Sequence, residues 1–321
     1  MLSICIPAHT YVDYTAEAVS QLLKEQEDFE VIVVEDFDLL DTTPETRRRV
    51  EYARSILASD SRVVWHRSDV RRPIQENWNF TVSLANREYV KLMGADDRVC
   101  PGGIGKIHEM IRAEPAARFH GHLARVIDEK GRVIRVQRPY ARSRHSICIG
   151  GSDALRSKLR QIARFKEPAC NVYAKETWQS VGGYSARYRF CFDIEFNVNV
   201  MRQNACCLWN EYVVELRRHA GSDGATLPAD LALDDLRGLV NDIYVHLGNA
   251  LTPADRASGE AWVGYRTLEL GIARYRSDPL RLFSFLRANF GKSSLDAPVL
   301  LRLCGMLARR VCFQDVQRTL K

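Results

Sequence analysis

Through its first hundred residues the chain alternates short apolar runs with amphipathic stretches, and that alternation leaves few folds open. Leu2-Ser3-Ile4-Cys5-Ile6, Phe29 to Val34, Arg62 to His66 and Tyr89 to Met93 have strand length and are rich in β-branched and aromatic residues. Between them, Thr15 to Gln26 sets Ala18, Val19, Leu22 and Leu23 on one helical face. Pro44 opens a second helix running to Leu57, and Ile74 to Leu84 reads as a third. Strand and helix in strict alternation predict an α/β, doubly wound, mostly parallel sheet. The C-terminal ends of such strands line one crevice, where ligands bind.

Carboxylates recur at those ends. Glu35-Asp36 follow the second strand, and Asp96-Asp97 close the stretch Tyr89-Val90-Lys91-Leu92-Met93-Gly94-Ala95. Gly94 and Ala95 leave room for a ligand or a second backbone to approach. Two adjacent carboxylates repel unless something positive neutralises them. A hard divalent cation carrying a diphosphate does so, since Mg²⁺ is held by one or two carboxylates plus phosphate oxygens. The plainer alternative makes Asp97 a helix cap ahead of Pro101-Gly102-Gly103. No G-x-G-x-x-G follows the first strand, which ends in Pro7-Ala8-His9, and no G-x-x-x-x-G-K-[ST] occurs. A Rossmann dehydrogenase and a P-loop kinase are therefore disfavoured. Gly102-Gly103-Ile104-Gly105 reads as a turn.

After Pro101 the pattern changes. A helix spans Ile104 to Ile111, and Phe119–Ile127 with Arg132–Gln137 flank Asp128-Glu129-Lys130-Gly131 as a hairpin. Helices are expected from Ser152 to Ala163, Glu176 to Val181 and Phe190 to Arg202, with a strand at Cys170–Tyr173. Two further strands, near Cys206–Trp209 and Val213–Arg218, lead to His219-Ala220-Gly221-Ser222, and from Pro228 onward the chain reads as helical. The net charge of +6 is spread rather than gathered in a stripe, which disfavours nucleic acid as a partner. The nine cysteines form no C-x-x-C, and adjacent Cys206-Cys207 cannot bridge each other without strain. They read as buried or free thiols of a reducing cytoplasm. Met1 enters a strand at once without a charged n-region, so no signal peptide is expected, and no apolar run approaches ~18 residues.

In order, these landmarks resemble the inverting family-2 glycosyltransferases of the GT-A fold, over roughly residues 1–225. Ile4-Cys5-Ile6-Pro7-Ala8-His9 resembles that family's first strand, and Val33-Val34-Glu35-Asp36 the strand whose acidic end holds the nucleotide base. Asn77-Trp78-Asn79-Phe80 resembles the helix leading to the metal strand, and Gly94-Ala95-Asp96-Asp97 the DxD-type motif, with Ala95 in the first position. Gly182-Gly183-Tyr184 with Phe192-Asp193 resembles the acceptor region and its catalytic carboxylate. Ala8 departs from the hydroxyl or polar residue usual there, and only Asp193 is acidic where the family often has a pair. The Q-x-x-R-W signature of processive synthases is absent, which favours transfer of a single sugar.

The resemblance implies a metal-dependent enzyme moving one sugar from a nucleotide-diphosphate donor to a hydroxyl acceptor. A glycan or lipid-linked glycan of a bacterial surface polysaccharide is the expected acceptor. It implies Asp193 as the general base, with Glu195 as second choice, and Pro7, Ala8, His9, Asp36, Arg71 and Asp96 around the nucleotide. Asp97 and His219 would hold Mn²⁺ or Mg²⁺. The expected organisation is a catalytic domain over 1–225, with a nucleotide half 1–100 and an acceptor half 101–225, and a helical extension over 226–321. Leu280–Arg287 and Leu300–Arg310 mix large apolar residues with arginines, which suits a membrane face or a homodimer contact. The expected location is cytoplasmic, including the inner membrane face. The rival readings are a sugar-1-phosphate nucleotidyltransferase, which wants a glycine-rich basic loop after the first strand, and a non-catalytic nucleotide-sugar-binding protein.

Overall fold

The computed structural model describes residues 1–9, 11–37, 43–140, 146–160, 167–219 and 228–290, with Val299 and Arg302 beyond them. The chain divides into two compact units. The first takes Met1–Gly150, Phe165–Arg187 and Phe192–Ala220; the second takes Gly151–Arg164, Tyr188–Cys191 and Gly221–Lys321.

The first unit opens with β1 (Leu2–Ala8), α1 (Val12–Leu22), β2 (Phe29–Glu35), α2 (Pro44–Leu57), β3 (Val63–Arg67), α3 (Ile74–Ser83) and β4 (Tyr89–Leu92). Then come β5 (Arg98–Val99), α4 (Gly103–Ala113), β6 (Phe119–Ile127), β7 (Val133–Val136) and β8 (Ser146–Gly150). The chain crosses into the second unit through α5 (Gly151–Leu159). It returns for β9 (Asn171–Ala174), α6 (Lys175–Ser180), α7 (Phe192–Gln203) and β10 (Ala205–Arg217). One sheet results, in the order β3-β2-β1-β4-β9-β6-β10-β5, with β7 on β6 and β8 on β10.

The expected alternation is there, and β3-β2-β1-β4 pair in parallel. Every residue of β1 except Pro7 is buried, as in a parallel strand covered on both faces, and its one polar side chain, Ser3, donates to Glu30 at 2.6 Å. Beyond β4 the sheet turns mixed: β9 runs antiparallel to both β4 and β6, while β6 and β10 are parallel. The hairpin turn falls at Asp128–Gly131, where Gly131 takes a positive φ of 78° that a side chain would resist. Glu25 from the α1–β2 connection takes the place of a cap on α4, accepting from Gly102 N at 2.9 Å and Ile104 N at 3.2 Å.

Three expectations change. The strands expected near Cys206–Trp209 and Val213–Arg218 are one strand, β10, whose register against β6 shifts between Leu208 and Tyr212. A bulge interrupts the ladder without ending it, so the sequence pattern reads as two pieces. Short β5 and β8 were not foreseen, since they gain identity only by pairing with β10. The cysteines are not all thiols: Cys148 and Cys207 are joined by a disulfide across β8 and β10. That pairing depends on two strands 59 residues apart in sequence coming into register, which spacing alone does not encode. Cys5, Cys100, Cys170, Cys191 and Cys206 are buried thiols outside any disulfide.

In the second unit α5 meets α8 (Ala229–Leu247), α9 (Pro253–Tyr275) and α10 (Pro279–Phe290). Leu233, Leu236, Leu239, Val240 and Ile243 bury one face of α8 at helical spacing. Thr252 and Asp255 cap α9 reciprocally, and Arg156 of α5 donates to Asp255 at 3.3 Å and to the Ala250 carbonyl at 2.6 Å. Among the described residues no helix is long and apolar enough to cross a membrane. On α10, Phe285 is buried while Leu280 and Phe283 face out. The end of the helix expected to reach Ala163, the Gly221-Ser222 loop and the Leu300–Arg310 segment, Arg302 apart, lie outside the described residues.

Candidate active site

The sheet gathers its polar residues at the strand tips. Ala8 pairs with Glu35 at the last register of β1 and β2, so His9 and Asp36 leave the sheet side by side. His9 Nδ1 lies 2.9 Å from each oxygen of Asp36. Arg71, ahead of α3, donates from Nε to His9 Nε2 at 3.1 Å and stands 4.0 Å from Asp36. An acceptor Nε2 requires the proton on Nδ1, so the ring donates to Asp36 while accepting from Arg71. The neighbouring Glu35 has a different task. Fully buried, it accepts from Phe37 N at 2.7 Å and Arg54 Nε at 2.7 Å, fastening β2 to α2. Ala8 is buried in the core, so only its backbone is offered to the crevice, whereas Pro7 is half-buried.

A second cluster forms at the tip of β4. The antiparallel register of β10 on β5, Val214 with Val99 and Glu215 with Arg98, continues toward Asp97 and brings the end of β10 over the acidic pair. Arg217 N donates to Asp97 Oδ1 at 2.9 Å, and His219 Nε2 lies 3.0 Å from Asp96 Oδ2. The other two oxygens turn toward Gly94. A methyl group built there would lie 2.7 Å from Asp96 Oδ1 and 3.0 Å from Asp97 Oδ2. A side chain there would push both carboxylates aside. Burial first, and the Asp96 charge second, push the Asp97 carboxyl well above the ordinary carboxylate range. Converging carboxylate oxygens that resist sharing negative charge fit a hard divalent cation. His219 meets the pair only through Asp96, and the three side chains do not close on a single point.

Arg217 underpins this cluster, and the sequence reading gave it no role. Its Nε donates to the Asp96 carbonyl at 2.9 Å, Nη1 to the Glu129 carbonyl at 3.0 Å, and Nη2 to Glu17 at 2.7 Å. The guanidinium also covers the ring of Tyr14, 4.3 Å from its centre, with the side chain 2% exposed. Tyr11 and Tyr14 pack on His219 at 4.7 and 5.7 Å between ring centres. Tyr14 and Glu17 lie three residues apart on α1, with Tyr11 just before its first residue, whereas the sequence pattern starts this helix at Thr15. What these side chains meet was not legible.

Behind the acidic pair, Lys91 is fully buried on β4. Its Nζ donates to the Ala169 carbonyl and to His122 Nε2, 2.8 Å away. Burial pulls the Lys91 amine down to about 7, with Cys170 and Asp97 pulling the other way. Burial, then the Lys91 charge, keeps His122 neutral.

Asp193 belongs to neither cluster. It stands in the first turn of α7, half-buried, with Oδ1 accepting from Ile194 N at 2.8 Å. The turn before it is held from α3: Asn79 donates to the Tyr184 carbonyl at 2.7 Å and accepts from Tyr184 N at 2.8 Å. Trp78 packs edge-on against Tyr184 and Phe192. Glu195, the second choice as base, is buried and accepts from Ser185 Oγ, which makes it a brace for this turn.

The model of glycosyl transferase family 2 matches residues 3–180, more than half of the chain. The protein belongs to glycosyl transferase family 2. Two solved structures show that this glycosyltransferase has the GT-A fold. S. aureus TarS (residues 1–349), in complex with UDP-GlcNAc, superposes with a TM-score of 0.59 at 15% identity, over 94% of this chain and 78% of that one. The mannosyltransferase PcManGT from Pyrobaculum calidifontis, in complex with GDP-Man and Mn²⁺, gives a TM-score of 0.53 at 15% identity, over 99% and 83%. No curated protein matches the chain by sequence.

Proposed function

We propose that this family-2 glycosyltransferase is metal-dependent and inverting, and that it moves a single sugar from a nucleotide-diphosphate sugar to a hydroxyl acceptor. The observation that carries the reading is the convergence of Asp96 Oδ1 and Asp97 Oδ2 over Gly94 at the tip of β4. The nucleotide sugars in the TarS and PcManGT complexes, and the Mn²⁺ in the latter, support donor class and cation.

Asp97 would hold the cation directly, and His219, which reaches the pair only through Asp96, would join it once Asp96 releases its Nε2. Bound there, Mn²⁺ or Mg²⁺ would supply Lewis-acid neutralisation of the departing diphosphate. Asp96 faces the nucleotide side of the same corner. Asp36, held by His9, accepts from the base, Arg71 reaches the donor from outside, and Pro7 and Ala8 form the floor. Asp193 takes the proton of the acceptor hydroxyl as it attacks the anomeric carbon. Its place at a helix start keeps the carboxylate outside the sheet.

The catalytic domain of this reading spans 1–225, with the nucleotide half first. The acceptor is a glycan or lipid-linked glycan of a cell-surface polysaccharide, met in the cytoplasm or on the inner membrane face. The helices beyond 226 supply the membrane or homodimer contact, and a chain that ignores anionic vesicles at low salt and stays monomeric removes that part.

Melting curves with UDP, GDP, dTDP and CMP, each with and without Mn²⁺, test the donor site, because a ligand of the folded state raises the melting temperature. One nucleoside diphosphate is expected to stabilise the protein, and only with the cation. Asp193→Asn is expected to lower turnover about 10³-fold with the melting temperature and donor affinity kept. Full turnover in that variant removes Asp193 as the base.

A further inference from the structure

Cys148 and Cys207 face each other across the antiparallel β8–β10 ladder, joined through sulfur, with Cα atoms 4.0 Å apart. Glu114, at the end of α4, lies beside them, and one of its oxygens and both sulfurs fall within 4.8 Å of one another. Among the described residues no other three His, Cys, Asp or Glu side chains converge so closely. Cys148 is exposed, Glu114 half-buried and Cys207 buried, so the trio runs from solvent inward. Cys206, next in the chain, alternates to the opposite face, its sulfur 3.5 Å from the Asn204 carbonyl.

We propose that Cys148, Cys207 and Glu114 form a second, redox-gated site. Reduced, it holds one soft divalent cation of the zinc type; oxidised, it is closed by the disulfide. Thiolate ligands select zinc over the hard cations that suit the oxygen-rich tip of β4. Zinc accepts sulfur and carboxylate oxygen together, and three protein ligands leave its fourth position for water.

Opening the site needs two equivalents of an external thiol. The first thiolate attacks the exposed Cys148 sulfur, breaks the S–S bond, forms a mixed disulfide on Cys148 and releases Cys207 as thiolate. The second attacks the external sulfur of that mixed disulfide, leaving as the small-molecule disulfide and freeing Cys148. Two electrons pass from the two external thiols to the protein pair. The cation then replaces the thiol protons, so uptake releases protons to solvent. The β8–β10 ladder keeps both sulfurs opposed in either state. Cys207 lies ten residues along β10 from Arg217, roughly 30 Å at strand rise, so the site stands independently of the transfer reaction.

Cadmium tests this directly, since its thiolate complexes absorb in the near ultraviolet. The full chain is reduced with a dithiol, stripped of reductant and metal, and titrated with Cd²⁺. One equivalent of thiolate-bound Cd²⁺ is expected. Cys148→Ser is expected to remove it, and Glu114→Gln to weaken it at least about tenfold, the scale on which metal-site partners act. Oxidised glutathione is expected to expel the cation, with two glutathione thiols formed per chain. A reduced protein that takes up no Cd²⁺, or a Cys148→Ser variant with the wild-type band, overturns the site. Cd²⁺ that remains bound after oxidation overturns the gating. Because Cys148 is on the surface, an unchanged circular dichroism spectrum separates loss of a ligand from loss of fold.

Discussion

The two tips of the crevice use the same pair of residue types in opposite senses. At the β1–β2 tip Asp36 is the buried member, 7% exposed, and His9 the open one at 41%. At the β4–β10 tip His219 is buried, 5% exposed, and Asp96 is the open one at 24%. A buried histidine aims a carboxylate outward; a buried carboxylate aims a histidine outward. The difference extends beneath the tips. Under the first, buried Glu35 is matched by Arg54. Under the second, buried Lys91 has no carboxylate partner among the described residues and leans on a neutral histidine. The buried charge under one tip is matched within the protein and that under the other is not; on the function proposed above, this divides recognition from chemistry.

The largest test of that division is Asp97→Asn. The amide oxygen can still accept from Arg217 N, so the loop survives, while turnover is expected to fall about 10⁴-fold, near 5 kcal/mol. The melting temperature is expected to hold or rise, because a half-buried carboxyl crowded by Asp96 disappears. Asp36→Asn is expected instead to raise the donor KM with turnover kept. Equal loss of turnover in both variants breaks the comparison.

Arg217→Met comes next. Three backbone carbonyls lose this donor and Glu17 keeps, among the described residues, only Arg98, and about 2–3 kcal/mol of stability should go with them. Chemical denaturation reads this, and calorimetric Mn²⁺ titration should show weaker binding. Arg71→Met, at the open tip, should change stability by less than about 0.5 kcal/mol. A stable Arg217→Met protein with normal cation affinity contradicts the support assigned to it.

The same asymmetry explains what the sequence disclosed. The β1–β2 tip is built by adjacent parallel strands, and period, apolar content and terminal acids all announce such strands locally. Asp36 and His9 were therefore legible as neighbours. The β4–β10 tip depends on an antiparallel return 120 residues later, through a bulged strand whose register no local pattern fixes. His219 was visible as a histidine at a strand end, but Arg217 beneath it, Tyr11 and Tyr14 against it, and the cross-strand Cys148–Cys207 pair were not. In the sequence Asn79 is one residue of a motif, because its bracket around Tyr184 exists only once α3 and the α6–α7 turn meet.

Lys91 gives a smaller, pH-dependent test. Its amine titrates near 10.5 unfolded and at about 7 folded. Between these values the unfolded chain binds a proton that the folded one does not, so this residue makes stability rise with pH, by at most about 1.4 kcal/mol per unit. Below about 7 both states carry the proton, and the cost of burying the ammonium is complete. The stability of wild type minus that of Lys91→Met, followed by urea melts from about pH 7 to about pH 9, isolates this group from the thiols common to both proteins. A flat difference contradicts a neutral amine beneath the acidic pair.

The smallest effect belongs to Arg71→Ala. Arg71 is half exposed, and the buried Asp36 that stands 4.0 Å from it keeps His9 as a partner when it goes. Solvent screening leaves such a residue little to give the fold. On the function proposed above, its contribution is to meet a negatively charged donor and to keep the proton of His9 on the side of Asp36. Removing it should raise the donor KM about three- to tenfold, near 1 kcal/mol, with turnover and melting temperature unchanged. Arg71→Lys restores charge but not the fork that holds the imidazole. If lysine rescues fully, charge alone matters; if it does not, the Arg71–His9–Asp36 chain is part of how the first tip reads the nucleotide. A fall in turnover instead of a rise in KM would move Arg71 to the chemical side of the crevice and remove the contrast between its two tips.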